Sequence, residues 1–494
     1  MNKYYQMEKD IHANDADDLD KLEEERGNNN NNIIKNNEEQ SNKKDQSFVE
    51  RVLVLSGGGS LGAYECGACS EFYKRGLKFN VFAGCSIGSI NVSILASAQN
   101  AGKDPAKTLR EFWTELSEDL FFVDSFSSSQ SSLQSSSSSS RGSSMMNDPL
   151  ALFYSSTSSA EKARAILAST YTAFFGTPKA FIPRWFTPAA FSDISDISRN
   201  MLTEWWNPFT YFPFAWKYLY DSEPLKRTLK DFVDLDALRK NPDAGSDETK
   251  PARIIIPSTD IQHGVSVIFD NTKTDIDIER ILAGASYPFY GIKWHKLDNR
   301  YLWDGSLLSN TPFAEVLFAS PSTDKEFYIV DIFPRQQDQI PQNMAAVWHR
   351  ARDILFLDKA DKSMQMAQQK KDHIALIKKM NQVLSEIEKQ YNAEIDGDTK
   401  RKIKQMARDY KEIMDNSGAV IQRVIRVTRS EKIHYILEDA DFTKARISKL
   451  IDQGQSDAKN ELDKYTNSNN QQGESQKQAE YEHKTQDGSY HVAT

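Results

Sequence analysis

The sequence predicts an α/β fold in which helices cover a mostly parallel sheet. Two short apolar runs, Val52–Leu55 and Val81–Ala83, are each followed by a glycine-rich turn and then by a helix-like segment. Strands that alternate with helices usually pair in parallel, because each helix returns the chain to the edge where the next strand begins. Further strands are expected at residues 253–257, 265–269 and 326–333.

The chain divides into regions of different composition. Residues 49–335 hold most of the predicted strands, and residues 336–465 are charged with a mainly helical pattern and one strand-like run, Val420–Val427. The acidic segment 1–48, which contains an asparagine run, and the polar segment 466–494 have few apolar residues, so disorder is expected in both. A serine-rich stretch at about 125–144 predicts a solvated insertion in the α/β domain for the same reason.

The composition limits the class of partner and the location. The net charge of −9 over 494 residues argues against general nucleic-acid binding. Three cysteines, at positions 66, 69 and 85, form no disulfide framework and favour a reducing compartment. No signal peptide and no run of about 18 apolar residues is visible. The expected location is therefore cytoplasmic, with at most peripheral contact with intracellular membranes.

The second glycine turn carries a candidate nucleophile. It reads Gly84-Cys85-Ser86-Ile87-Gly88 and follows the predicted strand Val81–Ala83. Glycines two residues either side of a serine let the backbone bend sharply enough to expose the hydroxyl at the start of a helix. Ser86 is therefore the predicted nucleophile, and Gly84 and Gly88 are the glycines that permit the turn.

The first glycine turn offers the backbone donors that a serine nucleophile needs. Attack on an ester carbonyl creates an oxyanion, and N–H groups at the start of a helix can stabilise it. The amides of Gly57, Gly58 and Gly59 are the candidates, and a side chain at Gly58 is expected to lower turnover far more than stability. With Gly62, these glycines also match a dinucleotide-binding fingerprint. The next strand ends in no acidic residue, however, and no Gly-Lys-Ser/Thr follows, which disfavours nucleotide binding.

A candidate general base follows a further predicted strand, Tyr301–Trp303, in the pair Asp304-Gly305. A carboxylate at a strand end can face a loop and take the serine proton. The motifs Gly57-Gly58-Gly59-x-x-Gly62, Gly84-x-Ser86-x-Gly88 and Asp304-Gly305 occur in the order seen in patatin-like phospholipases. The sequence resembles that family over roughly residues 50–335.

The resemblance implies a three-layer patatin-like domain with a Ser-Asp catalytic dyad. It assigns Ser86 as the nucleophile, Asp304 as the base and Gly57–Gly59 as the oxyanion hole, and it implies no metal and no cofactor. The family usually has glycine or alanine where this chain has Ser306, a departure that concerns the geometry of the loop. The implied substrates are fatty-acyl esters of membrane or aggregated lipids, namely phospholipids, lysophospholipids or acylglycerols.

Two other functions stay open at this point. A lipid transacylase would use the same acyl-enzyme with an alcohol or lysolipid in place of water, and a silent scaffold would recruit partners through the C-terminal region. The intact dyad residues argue against the scaffold. No histidine is expected to take part in the chemistry, and the positions that test this are His263, His295, His349, His373 and His434.

Residues 171–220 combine many aromatic side chains, such as the cluster Trp205, Trp206 and Phe209, with five prolines that break any long helix. We keep two interpretations of this segment. It forms an acyl pocket, lid or membrane-docking surface, because aromatic rings with polar tips suit a wet apolar boundary. Alternatively, it is a hydrophobic cluster packed on the sheet.

The C-terminal region resembles the extra region that some bacterial-type patatin-like proteins carry. Apolar residues recur with heptad spacing from Ile377 to Tyr391 and from Ile403 to Ile413, with an interruption at 396–398. This pattern predicts an antiparallel helical hairpin, and it allows a homo-oligomer formed through these helices.

Overall fold

An eight-stranded mixed sheet lies at the centre of the protein. The computed structural model describes residues 48–120, 157–187 and 216–487, except for residues 246, 248, 338–339, 342–343, 392–393 and 431–437. The serine-rich stretch, the N-terminal segment up to residue 47 and the cluster Trp205, Trp206 and Phe209 lie outside the described residues. The described residues from Val49 onward form one compact unit.

Strands and helices alternate along this unit. The first elements are β1 (Val49–Leu55), α1 (Gly62–Lys74), β2 (Val81–Gly84), α2 (Ile87–Asn100), α3 (Pro105–Leu116), α4 (Thr157–Phe175), β3 (Ile182–Pro183), β4 (Tyr220–Asp221) and α5 (Glu223–Phe232). The next are β5 (Arg253–Asp260), β6 (Val265–Asp270), α6 (Ile278–Ala283), β7 (His295–Leu297), β8 (Arg300–Asp304), α7 (Phe313–Ala319) and β9 (Asp324–Asp331). The last are α8 (Met344–Tyr391), α9 (Gly397–Ser417), β10 (Ile421–Thr428) and α10 (Lys444–Asp487).

The sheet has the strand order β10-β9-β1-β2-β5-β8-β7, and β6 also pairs with β5. The pairings from β10 across to β5 are parallel, whereas β6, β8 and β7 pair antiparallel. The predicted α/β fold with a mostly parallel sheet is therefore confirmed. Leu55 at the end of β1 pairs with Gly84 at the end of β2, so the two glycine turns leave the sheet side by side.

Apolar side chains cover both faces of the sheet. Leu53, Phe82 and Ile254 belong to a buried cluster that includes residues of α1, α2 and α10. Their strand neighbours point to the opposite face, where Val54 and Ala83 pack with residues of α7 and α8. A parallel sheet needs this double cover, because both of its faces are apolar. The three-layer arrangement expected from the family resemblance is present.

The C-terminal region contributes to the sheet as well as to its helical cover. Strand β10 pairs with β9 at the edge of the sheet, with Val424 opposite Phe327. Helix α10 lies along α1, where the Tyr64 hydroxyl donates a hydrogen bond to Asp457 Oδ2 at 2.9 Å. The region beyond residue 336 is mainly helical, as expected. Its helix α10 packs against α1, the helix that follows the first glycine turn.

The predicted helical hairpin is present, whereas the C-terminal segment is helical further along the chain than the sequence predicts. Helix α8 ends at Tyr391 and α9 begins at Gly397, where Asp396 accepts hydrogen bonds from two backbone N–H groups. Helix α10 continues to Asp487, although disorder was expected from residue 466. The stretch contains five Gln, three Glu and two Lys, which are good helix formers and extend a helix already held against α1. Among the described helices, none is long and apolar enough to cross a bilayer.

Candidate active site

Ser86 occupies a sharp turn between β2 and α2. Its backbone has φ of 54° and ψ of −125°, and only two other non-glycine residues in the described ranges have a positive φ. Such a conformation costs about 1–3 kcal/mol and is kept where the surrounding structure enforces it. A Cβ at Gly88 would lie 2.5 Å from the Leu55 carbonyl oxygen, and one at Gly84 would overlap the Gly88 carbonyl. The two glycines predicted to permit the turn are thus sterically required.

Asp304 lies at the end of β8 and is completely buried. Strand β8 pairs with β5, and β5 pairs with β2, so the sheet brings the carboxyl group to the turn that holds Ser86. Asp304 Oδ1 accepts a hydrogen bond from the Ser306 N–H at 2.8 Å, and the Cys85 thiol lies 3.6 Å from the same oxygen. The loop that contains Ser306 therefore orients the carboxylate through its backbone.

The Asp304 carboxyl lies near the Ser86 hydroxyl. Burial raises the pKa of the Asp304 carboxyl to about 6, although the nearby Ser86 hydroxyl and the Ser306 N–H oppose the shift. Asp304 Oδ2 is buried, and no group in the described part of the chain donates a hydrogen bond of normal geometry to it. Contacts of this kind often tighten only when substrate binds. Oδ2 therefore has unused capacity to accept a proton.

The glycine loop runs from the end of β1 to a short 3₁₀ turn, Gly59–Leu61, that leads into α1. The Gly57 N–H donates to the backbone oxygen of Asn310 at 3.3 Å. The N–H groups of Gly58 and Gly59 donate to no acceptor among the described residues. They sit just before a helix start, where the aligned peptide dipoles favour negative charge.

Asn310 was not recognised in the sequence. Its side-chain Nδ2 donates to the Gly57 carbonyl oxygen at 3.4 Å, in addition to the backbone contact. Asn310 thereby ties the loop after Asp304 to the glycine loop. No local pattern marks this residue, because its contact partner lies 253 positions away in the chain.

Ser86 opens onto an apolar cavity of about 340 Å³. Its wall is formed by α2, α5, the aromatic segment, the turn Pro288–Tyr290 and the C-terminal residues Asp439, Ala440 and Phe442. From the aromatic segment, Ala173, Ala180, Phe181 and Tyr220 line the cavity. In its described part, the segment thus forms a pocket wall, as one of the two interpretations expects.

The histidines pair with other acidic groups. His263 contacts Asp260, and His295 contacts Glu279. His349 lies 3.3 Å from Glu438. His434 lies outside the described residues. These contacts do not test whether His373 has a catalytic role. The expectation that Ser86 and Asp304 act without a histidine stays a prediction.

Comparison with known proteins identifies the family. The patatin-like phospholipase family matches residues 53–317, more than half of the 494-residue chain. Among solved structures, VipD from Legionella pneumophila is 13% identical, with a TM-score of 0.31 over 84% of this chain and 67% of that one. ExoU from the type III secretion system of Pseudomonas aeruginosa, in complex with SpcU, is 15% identical, with a TM-score of 0.24 over 83% and 70%. No curated protein sequence matches the chain significantly.

The assignment rests on the family match, because the two structural likenesses are too weak to add to it. The matched range begins within β1 and ends within α7, so it contains both glycine turns and the strand that carries Asp304. The family resemblance read from the motifs is confirmed. The chain therefore belongs to the patatin-like phospholipase family of lipid-hydrolysing enzymes.

Proposed function

We propose that the protein is a serine acyl hydrolase that cleaves fatty-acyl esters of lipids through a Ser86–Asp304 dyad. The observation that carries this proposal is the strained Ser86, which stands between the buried Asp304 carboxyl and an apolar cavity. An apolar cavity with few polar groups suits an acyl chain, and the polar groups that are present converge on one hydroxyl.

The reaction proceeds through an acyl-enzyme in this proposal. Ser86 Oγ attacks the ester carbonyl carbon while its proton passes to Asp304 Oδ2. The oxyanion forms opposite the N–H groups of the glycine loop, which stabilise it. The intermediate collapses, and Asp304 returns the proton to the departing alcohol. A water molecule then attacks the acyl carbonyl while Asp304 takes its proton. The bond to Ser86 Oγ breaks, Asp304 returns the proton to Oγ, and the fatty acid is released.

Lipid profiling tests the substrate class. A lipid extract is incubated with the wild-type protein or with Ser86→Ala, and the products are compared by mass. Free fatty acid and lysolipid that form only with wild type support the hydrolase. Acyl groups that instead reappear on another alcohol identify the transacylase, and identical profiles from both proteins contradict the proposal. The identity of the consumed lipids then distinguishes phospholipids from acylglycerols.

The pKa of Asp304 predicts how the activity depends on pH. Asp304 must be ionised to accept the serine proton, and its buried carboxyl has a pKa of about 6. We expect kcat/KM for a soluble ester to rise about tenfold per pH unit below that value and to level off above it. The measurement is the pH profile of kcat/KM with a parallel thermal-unfolding control. A midpoint near the ordinary aspartate value of about 3.9 would contradict this role for the buried carboxyl.

We also propose that the mouth of the cavity docks on lipid surfaces. Phe174, Phe175 and Phe186 form a stacked cluster beside the cavity residue Ala173 and are 57%, 51% and 54% exposed. Each ring that leaves water contributes about 2 kcal/mol. Three rings of this kind favour peripheral binding without a spanning helix.

Serine substitution of this cluster should separate surface binding from chemistry. Phe174→Ser/Phe175→Ser/Phe186→Ser is expected to reduce vesicle binding and hydrolysis of vesicle lipid at least tenfold, while cleavage of a short soluble ester persists. Phe318→Ser is the matched control, because Phe318 is 83% exposed on α7 and lines no part of the cavity. Equal losses on both substrates would show that the cluster supports the fold instead.

Self-association through α8 and α9 is a further proposal. Met380, Ile387 and Met406 keep heptad spacing within their helices and are 53%, 42% and 46% exposed. An apolar stripe of this kind suits a second copy of the same helices. The oligomeric state of the wild-type protein and of Met380→Glu is measured by sedimentation at rising protein concentration. A wild-type protein that stays monomeric would contradict the proposal.

A further inference from the structure

A buried ion pair outside the family-matched range lies at the wall of the cavity. Asp439, in the 3₁₀ turn Glu438–Ala440, lines the same cavity as Ser86 and Gly59. Its Oδ2 accepts a hydrogen bond from Arg352 Nη1 of α8 at 2.6 Å. The match ends at residue 317, so neither member of the pair belongs to it.

The turn that carries Asp439 packs directly on the glycine loop. A Cβ at Gly59 would lie 2.5 Å from the Asp439 carbonyl oxygen and 3.3 Å from the Asp439 Cβ. Next to it, the Ser60 hydroxyl donates to the Glu438 carbonyl oxygen at 3.3 Å. Gly59 has φ of 58°, a left-handed conformation that glycine adopts without strain. The Asp439 carboxylate therefore lies within one side-chain length of the loop proposed to bind the oxyanion.

A negative charge on Asp439 at this position would repel the oxyanion, and Arg352 neutralises that charge. A carboxylate and an oxyanion repel each other, and the repulsion is stronger in a cavity that excludes water. Arg352 places its guanidinium against the carboxylate. It is itself held by the Tyr290 hydroxyl at 3.1 Å and by Asp353 Oδ1 at 3.2 Å, and it stacks over the Phe333 ring.

We infer that Arg352 is a positioning residue of the active site, which holds the Asp439 turn against Gly59 and cancels a charge that would otherwise oppose the oxyanion. The inference rests on the proposed function, because it presupposes that an oxyanion forms at the glycine loop. It makes turnover depend on helix α8, which the family match does not cover.

The protonation state of Asp439 gives this inference a pH signature. Burial raises the pKa of the Asp439 carboxyl to about 7, and the contact with Arg352 favours the ionised form. Without Arg352, the pKa of the carboxyl would lie higher still, so the group would be neutral at low pH and would become an unpaired negative charge as the pH rises through that higher pKa. The repulsion, and with it the loss of activity, should therefore grow with pH.

Other charged groups near the pair act mainly on its neighbour Glu438. Although burial opposes ionisation, Arg429, His349 and Arg446 hold the pKa of Glu438 well below its usual range. The groups that face the turn or its ion pair are His349 and Asp353 of α8, Arg429 after β10, Arg446 of α10, and the hydroxyls of Tyr287 and Tyr290. Across the cavity, Asp304 and Asp439 both raise the pKa of Tyr287, although its burial is the larger cause.

The test compares Arg352→Met, Asp439→Asn and the double variant on a short soluble ester, with kcat and KM measured from about pH 6 to about pH 9. Arg352→Met should lower kcat about tenfold at the alkaline end with little change in KM, and the deficit should shrink towards the acidic end. Asp439→Asn has no charge to titrate, so any change in kcat should be the same factor at every pH. The double variant should regain the kcat that Arg352→Met loses at high pH.

Two patterns of activity loss would overturn the inference. One is a loss in Arg352→Met that does not vary with pH, and the other is an equal loss in all three variants, since both indicate packing alone. If Arg352→Met does not fold, Arg352→Lys decides, because it keeps the charge and should show no deficit that grows with pH. If the wild-type protein shows no hydrolysis that depends on Ser86, the proposed function is refuted. If the wild-type protein is active and Arg352→Met has the same activity at every pH, only the inference is refuted.

Discussion

Ser86→Ala and Asp304→Asn should each lower ester hydrolysis by at least about a thousandfold, and the double variant should be little worse than either. The nucleophile and its base act as one unit, so removing the second group after the first takes away nothing further. The structure supports this coupling, because Asp304 Oδ2 has no hydrogen-bond donor in the described residues and the nearby Ser86 hydroxyl lowers the Asp304 pKa. The measurement is kcat/KM for a soluble ester.

Ser97→Ala is the matched control for the serine variant. Ser97 is buried in the same helix as the turn, and its hydroxyl donates only to the Ile94 carbonyl oxygen. Its loss should change stability slightly and leave kcat/KM within about a factor of two. If the losses of the two dyad variants multiply in the double variant, Ser86 and Asp304 act in separate steps and the dyad assignment is wrong.

Gly57→Ala should lower kcat by about a hundredfold to a thousandfold, the range expected when an oxyanion-hole donor is displaced. A Cβ at Gly57 would lie 2.7 Å from the Ser86 Cβ and 2.6 Å from Asn310 Oδ1. The backbone must shift to relieve these contacts, which moves the N–H groups of the loop away from the nucleophile. Labelling of Ser86 by a fluorophosphonate should slow in parallel, since that reaction also develops charge on oxygen.

Gly58 provides the comparison, and the structure changes what is expected of it. A Cβ at Gly58 would overlap the Ile332 side chain in the core, so a valine there should cost stability as well as turnover, contrary to the expectation from the sequence. Gly58→Ala needs the end of that side chain to move and Ile332 Cγ1 and Phe333 Cζ, at 3.1 and 3.2 Å from the added Cβ, to shift slightly. If Gly58→Ala lost far more kcat than Gly57→Ala, the donors would be arranged differently from the way proposed here.

The motifs could be located from the sequence because they encode backbone geometry. The turn at Ser86 needs glycines two residues either side, and the structure shows that side chains at those positions would collide with the backbone. The aromatic segment was harder to interpret, because aromatic residues suit a pocket wall, a lipid surface and a core equally well. Its described part places Phe181 in the cavity wall and leaves Phe174 exposed.

Local sequence patterns were enough to predict the main strands and the helices that follow the two glycine turns, the family, and the positions of Ser86, Asp304 and the glycine loop. These depend on local properties, namely apolar runs and the residues that a tight turn tolerates. Three features became visible in the fold alone: Asn310 ties the two loops together, β10 extends the sheet, and Asp439, paired with Arg352, packs on the glycine loop. Such contacts join positions far apart in the chain and depend on how the whole core packs, so no local pattern records them.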